Sequence, residues 1–247
     1  MSTARFLLTA GASGSGKTLI TCGILQALKN RGLQTASFKC GPDYIDPMFH
    51  TKVIGTKSRN LDTFFTTPDR TRYLLKRNLE DCDIAVMEGV MGYYDGVGGT
   101  TTRASAYDLA KVTQTPVVLI VNCKGMSVSI LPFIQGFVNF MPDSNIKGVL
   151  LNQISSMLYP RVKEMIETKL GIKVYGYVPV VTACVIESRH LGLVMPNEIQ
   201  DFKEKLGKLA KRMEETIDFH GLIELGKSAP AISVEKETKE YFQSLKN

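Results

Sequence analysis

The sequence predicts an α/β fold built on a doubly wound, mostly parallel sheet, and three observations carry that expectation. Short runs that are apolar at successive positions recur along the chain, the pattern of strands buried on both faces. Helix-length amphipathic segments separate these runs, as crossover connections require. Clusters of Gly, Asp and Asn follow several runs, at the carboxyl edge where open parallel sheets collect ligands. In order, the strand candidates are "RFLLTA", "QTASFK", "DIAVME", "PVVLIVN", "KGVLLNQI" and "KVYGYVP", with a helix from about Gly16 to Asn30 after the first. Ile199, Phe202, Leu206, Leu209, Met213 and Ile217 then recur every three or four residues, one buried stripe of a late helix. Residues 1–226 read as one domain and 227–247, ending "VEKETKEYFQSLKN", as a linker or mobile tail.

The 247 residues, 44% of them hydrophobic, are enough for one sizeable core. A net charge of +6 suits phosphates or polycarboxylates as well as nucleic acid, but the basic residues are scattered and no arginine-rich arm appears. Nucleic acid is therefore disfavoured. The cysteines, Cys22, Cys40, Cys82, Cys123 and Cys184, form no CxxC pair, so the sequence indicates neither a zinc site nor a disulfide framework. No stretch resembles a signal peptide or approaches the roughly 18 apolar residues of a membrane span, and the expectation is a soluble, cytoplasmic protein.

"GASGSGKT", Gly11 to Thr18, satisfies GxxxxGK[ST] in the required setting, after a strand and before a helix. Gly11, Ala12, Ser13, Gly14, Ser15 and Gly16 turn backbone amides toward phosphate oxygens. Lys17 adds a mobile positive charge and Thr18 a hydroxyl for Mg²⁺. A bound nucleotide and Mg²⁺ are what this motif predicts. "FKCGPDYIDPMFH" then places Asp43 and Asp46 three residues apart beyond the second strand. Like charges brought to about 4 Å repel by roughly 4 kcal/mol at an effective dielectric near 20, so the pair suggests a cation. Asp43 after Gly-Pro is also ordinary turn chemistry. Glu88 closes the strand "DIAVME", so Thr18, Asp46 and Glu88 together suit octahedral Mg²⁺.

"GASGSGKT", "FKCGPDYIDPMFH", "SRNLD", "EGVMGYYDG" and "ESRHLGL", in this order and spacing, resemble the synthetase domain of the cobyrinate a,c-diamide synthase family over roughly residues 4 to 225. The resemblance implies a P-loop NTPase of the dethiobiotin synthetase-like type. It also implies ATP-dependent amidation of the a and c side-chain carboxylates of a tetrapyrrole-derived macrocycle, through an acyl phosphate that ammonia attacks. By position it implies metal and catalytic roles for Lys17, Asp43, Asp46 and Glu88, with substrate near Tyr44 and Ile45. Asn152, closing "KGVLLN", falls where an asparagine reads the adenine edge; an Asn that turns the chain at a strand end is the alternative. Arg59 with Asn60, and Arg189 with His190, either hold substrate carboxylates or organise loops. His50 and His220 read as structural.

Cobyrinic acid, nickel sirohydrochlorin, and a dethiobiotin-type carboxylation all stay open as chemistries. A nucleotide-driven switch ATPase is disfavoured, because chromosome-partition and septum-placement ATPases carry a second lysine where this chain has Ala12. Asn122 stands where relatives often carry aspartate, and no role is assigned to it. Family members continue into a glutaminase domain with a GxCxG nucleophile, and no cysteine of these 247 residues has that setting. Ammonia is expected through a missing glutaminase domain, from a separate glutaminase or from solution, and a homodimer is compatible with the sequence.

Overall fold

In the computed structural model, which describes residues 3–179 and 198–244, seven strands form a single parallel sheet. They are β1 (Ala4–Ala10), β2 (Thr35–Cys40), β3 (Lys57–Leu61), β4 (Ile84–Glu88), β5 (Val117–Asn122), β6 (Ile146–Asn152) and β7 (Lys173–Val178). Their order is β3-β2-β4-β1-β5-β6-β7, and every pairing is parallel. This is the doubly wound sheet the sequence predicts. The chain winds outward from β1 in both directions, so the loop after β1 opens at the point where connections diverge and leave a crevice.

Strand alternation sorts the core into two layers. Phe6, Leu8, Ile84, Val86, Val118 and Ile120 face one side. There they pack with α1 (Lys17–Asn30), α7 (Glu198–Thr216) and α8 (Phe219–Lys227). Leu7, Phe38, Met87, Leu119 and Val121 face the other, against α3 (Pro68–Asn78), α4 (Ala106–Thr113), α5 (Ile130–Phe140) and α6 (Tyr159–Leu170). Both faces of β1 and β4 are buried throughout, which is why those strands read as unbroken apolar runs. α7 carries the predicted stripe: Leu206, Leu209 and Met213 are buried, and Met213 sulfur would meet any side chain added at Gly23 of α1.

Two features escaped the sequence pattern. β3, "KSRNL", is an edge strand with three of five residues exposed, so it lacks the apolar run that marks its neighbours. Beyond residue 226 the chain does not run free of the domain. Arg5, buried at the start of β1, donates to Pro230 O, and α9 (Lys236–Ser244) lies on α3 with Phe242 stacked on Tyr73 at 4.2 Å. The reading of 227–247 as a linker or mobile tail thus omits a helix. A short α2 (Ile45–Phe49) and the π-helical turn His50–Ile54 join β2 to β3.

Candidate nucleotide and metal site

The loop Gly11–Gly16 leaves β1 and enters α1 through two residues with positive φ, Gly14 at 74° and Gly16 at 91°. Only glycine takes those angles without strain. Gly16 must be glycine for a second reason, since a Cβ there would lie 2.6 Å from Asn152 Nδ2. Asn152 is buried at the tip of β6 and donates from that nitrogen to Ser15 O at 3.0 Å. The structure therefore brings Asn152 to the phosphate loop, holding its backbone. Lys17 donates to Ala12 O at 3.0 Å and to Met91 O at 2.5 Å. Burial, and then the neighbouring Lys39 charge, pull its pKa below the usual lysine value.

Strand register builds the acidic half. Lys39 of β2 and Glu88 of β4 are direct partners in the parallel ladder, so their side chains leave the sheet on the same face, toward α1. Lys39 Nζ lies 2.7 Å from Glu88 Oε1 and 2.6 Å from Asp46 Oδ2, with Asp43 Oδ2 at 4.0 Å. Thr18, in the first turn of α1, donates to Glu88 Oε1 at 2.7 Å and approaches Asp46 Oδ2 at 3.4 Å. Lys39, Asp46 and Glu88 are all buried. Burial by itself would lower the Lys39 pKa, but Glu88 and then Asp46 more than reverse this, and Lys39 titrates above its ordinary range.

Asp43 does two things at once. Its Oδ1 accepts from the backbone of Ile45 at 2.8 Å, starting α2, while its other oxygen faces Lys39. Asn60 ties this turn to β3 by donating to Asp43 O at 2.7 Å. Tyr44 and Ile45 are exposed beside the acids, Tyr44 by 84%, free to meet a ligand. Arg59 is exposed and donates to Ser58 O, within its own edge strand. Arg189 and His190 lie outside the described residues.

Lys39 is the residue of this cluster that sequence reasoning missed. A lysine inside "TASFKC" looks like one polar residue in a strand, and its meaning appears only once β2 and β4 are laid side by side. The available signal was its place at the strand end, four residues before Asp43.

The donor set was tested against a divalent cation. Among the described residues no three or more His, Cys, Asp and Glu side chains gather into an all-protein metal cage. Thr18, Asp46 and Glu88 instead offer a hydroxyl and two carboxylates, which nucleotide phosphates and water would complete, and that is how Mg²⁺ is bound. Glu88 Oε2 is buried and unpartnered, and the Lys39 ammonium lies between the same two carboxylates, a place already suited to positive charge. The residues fit the ion.

A glycine loop between the central strand and its helix, with a threonine-acid cluster at the neighbouring strand tips, defines a P-loop nucleotide-binding protein. Residues 6–193 match the family described as the CobQ/CobB/MinD/ParA nucleotide binding domain. The chain belongs to that family. It is 40% identical over 238 residues to a cobyrinate a,c-diamide synthase of Priestia megaterium, covering 95% of this chain and 51% of that protein. It is 42% identical over 219 residues to one from Clostridium acetobutylicum, covering 88% and 49%. The chain thus spans about half the length of the curated relatives it matches. Among solved structures, MinD of Aquifex aeolicus superposes with a TM-score of 0.51 at 16% identity, covering 86% of this chain and 98% of that one. Chloroplast FtsY of Physcomitrella patens gives 0.55 at 12%, covering 83% and 66%. These likenesses establish the shared fold.

Proposed function

We propose that this chain carries out the ATP- and Mg²⁺-dependent amidation of the a and c side-chain carboxylates of cobyrinic acid, a step of corrin and cobalamin biosynthesis, in the cytoplasm. The observation that carries the reading is the Thr18–Lys39–Asp46–Glu88 cluster beside the phosphate loop, in a chain about 40% identical to cobyrinate a,c-diamide synthases. Among the described residues no helix is long and apolar enough to cross a membrane.

A carboxylate resists attack by ammonia because oxide is a poor leaving group. A carboxylate oxygen bonds to the γ-phosphorus as the β,γ-bridge breaks and ADP departs; ammonia then bonds to the carbonyl carbon and phosphate leaves, giving an amide. Bound Mg²⁺ would neutralise phosphate charge, held by Thr18, Asp46 and Glu88. The protein's own part is placement and charge. Lys17, parked on two carbonyls, is within its loop's reach of phosphate, and exchanging those neutral acceptors for an anion is favourable. Lys39 faces the same space from β2, and Glu88 with Asp46 keeps it charged. Asn152 holds the loop and keeps its carbonyl oxygen for an adenine amino group. Exposed Tyr44 and Ile45 offer an apolar edge to a macrocycle, and Arg59, Arg189 and His190 are proposed for its carboxylates. Ammonia comes from a glutaminase unit or from solution.

The test is a parallel assay of the purified chain with ATP, MgCl₂ and ammonium chloride against cobyrinic acid, nickel sirohydrochlorin, and diaminopelargonate with bicarbonate. ADP, phosphate and a mono- then diamide of cobyrinic acid, counted by mass spectrometry, are expected. Intact ATP binding with no amide at saturating ammonium rejects the reading.

A further inference from the structure

The α1-facing side of β2 carries more polar groups than the site above uses. Ser37, two residues before Lys39 and on the same face, is buried, and its Oγ lies 2.7 Å from His50 Nδ1 and 3.2 Å from Ser58 Oγ. His50 opens the π-helical turn and has no exposed surface. Its other nitrogen, Nε2, is 4.0 Å from Glu88 Oε2. Both atoms are buried and neither has a hydrogen-bond partner.

Two facing unsatisfied groups in a dry interior are costly, about 1–3 kcal/mol for each. A histidine kept only to fill space would be partnered on both nitrogens or replaced by an apolar residue. The gap is also one that a small motion closes. Glu88 Oε1 now takes both the Lys39 ammonium and the Thr18 hydroxyl, while Oε2 is held by nothing. A swing of roughly 1 Å would bring Oε2 to the ~2.9 Å of an N–H···O bond.

We propose that His50 is a positioning residue for Glu88. The Ser58 and Ser37 hydroxyls donate in series to Nδ1, which leaves the imidazole proton on Nε2, and that N–H holds Glu88 Oε2 once Oε1 turns to a divalent cation. The proposal rests on the reading of Glu88 as a cation-facing carboxylate. Its effect is to fix the rotation of the carboxylate, so that the cation meets one pre-aimed oxygen rather than a side chain free to turn. Outer partners of this kind typically change metal affinity by about 10- to 100-fold.

The test uses the full chain with ATP and Mn²⁺ as the probe, free Mn²⁺ being read by electron paramagnetic resonance, and the imidazole tautomer by ¹⁵N NMR of the chain's three histidines. Wild type is expected to show the Nε2–H tautomer at His50. His50→Leu should weaken Mn²⁺ binding in the presence of ATP by about 10- to 100-fold while leaving metal-free ATP affinity unchanged. His50→Gln, whose amide nitrogen falls near the place of Nε2, should recover most of that loss. An Nδ1–H tautomer in wild type, wild-type Mn²⁺ affinity in His50→Leu, or equal losses in the Leu and Gln variants would each overturn the role. The NMR readout needs no variant, so an Nδ1–H tautomer overturns the role even if His50→Leu does not fold. Because no amidation is measured, failure of the proposed reaction and failure of this role are seen separately.

Discussion

Lys39 shows how one side chain can stand in for an ion. Its ammonium lies within 2.7 Å of two buried carboxylates, the pair that would share Mg²⁺, so part of the cluster's negative charge is offset before any ligand arrives. Removing one partner of a buried ionic group commonly costs about 3–5 kcal/mol, because the remaining charges are left without compensation. Lys39→Met should therefore lower the melting temperature by on the order of 10 °C in EDTA, from that cost and the usual 2–4 °C per kcal/mol for a chain of this size. It should regain much of the loss in MgCl₂, as the cation takes the vacated position. Equal melting of the variant with and without Mg²⁺, followed by differential scanning calorimetry, would mean that Asp46 and Glu88 do not share a cation. At this scale the sequence shows spacing along the chain but not register across it. Asp43, Asp46 and Glu88 stand out because each follows a strand-like run, and the phosphate loop because its glycines and lysine are contiguous. Lys39 and the Ser37–His50 pair acquire meaning only from β2 lying beside β4, and no pattern within "TASFKC" encodes that neighbour.

Among the elements, legibility follows burial. β1, β2, β4, β5, β6 and β7 are visible as apolar runs because most or all of their residues are covered on both faces, and α7 because one stripe is. β3 and α9 fail that criterion for one reason: an edge strand and a surface helix bury little, so they leave weak periodicity. α9 has no buried residue at all. Local contacts hold it instead. Asp69 of α3 accepts from the backbone of Glu235 at 3.2 Å, Phe242 stacks on Tyr73, and the Arg70 guanidinium lies 4.4 Å from the Tyr241 ring centre. An aromatic pair of this kind contributes about 0.5–1.5 kcal/mol beyond its area, enough to seat a short helix but small against global stability. Phe242→Ala should then speed amide hydrogen exchange across Lys236–Ser244 while leaving exchange in β1 and β4, and nucleotide affinity, as in wild type. Exchange that rises throughout the sheet instead would make α9 part of the cooperative core.

For the whole molecule, the fold and the chemistry make different demands. The sheet order places the phosphate loop at the centre, with β4 on one side bringing Glu88 and, one strand further, β2 bringing Lys39 and the Asp43–Asp46 turn. The acids therefore converge from one flank, while Asn152 reaches the loop from the other. Thr18, Lys39, Asp46 and Glu88 come together within a single chain. The likeness to MinD, with a TM-score of 0.51 at 16% identity, is one of fold and carries no statement about assembly. Position 12 bears on assembly directly. Chromosome-partition and septum-placement ATPases carry a lysine at this position, whereas Ala12 offers an exposed methyl group and a carbonyl already taken by Lys17. The mass in solution, whether of a monomer or a constitutive dimer, should accordingly be the same with and without ATP and Mg²⁺ when measured by multi-angle light scattering. A doubling of mass that appears only with ATP and reverses on its hydrolysis would favour a nucleotide-driven switch over an amide ligase, since positive charge would then have to come from another residue of the second copy.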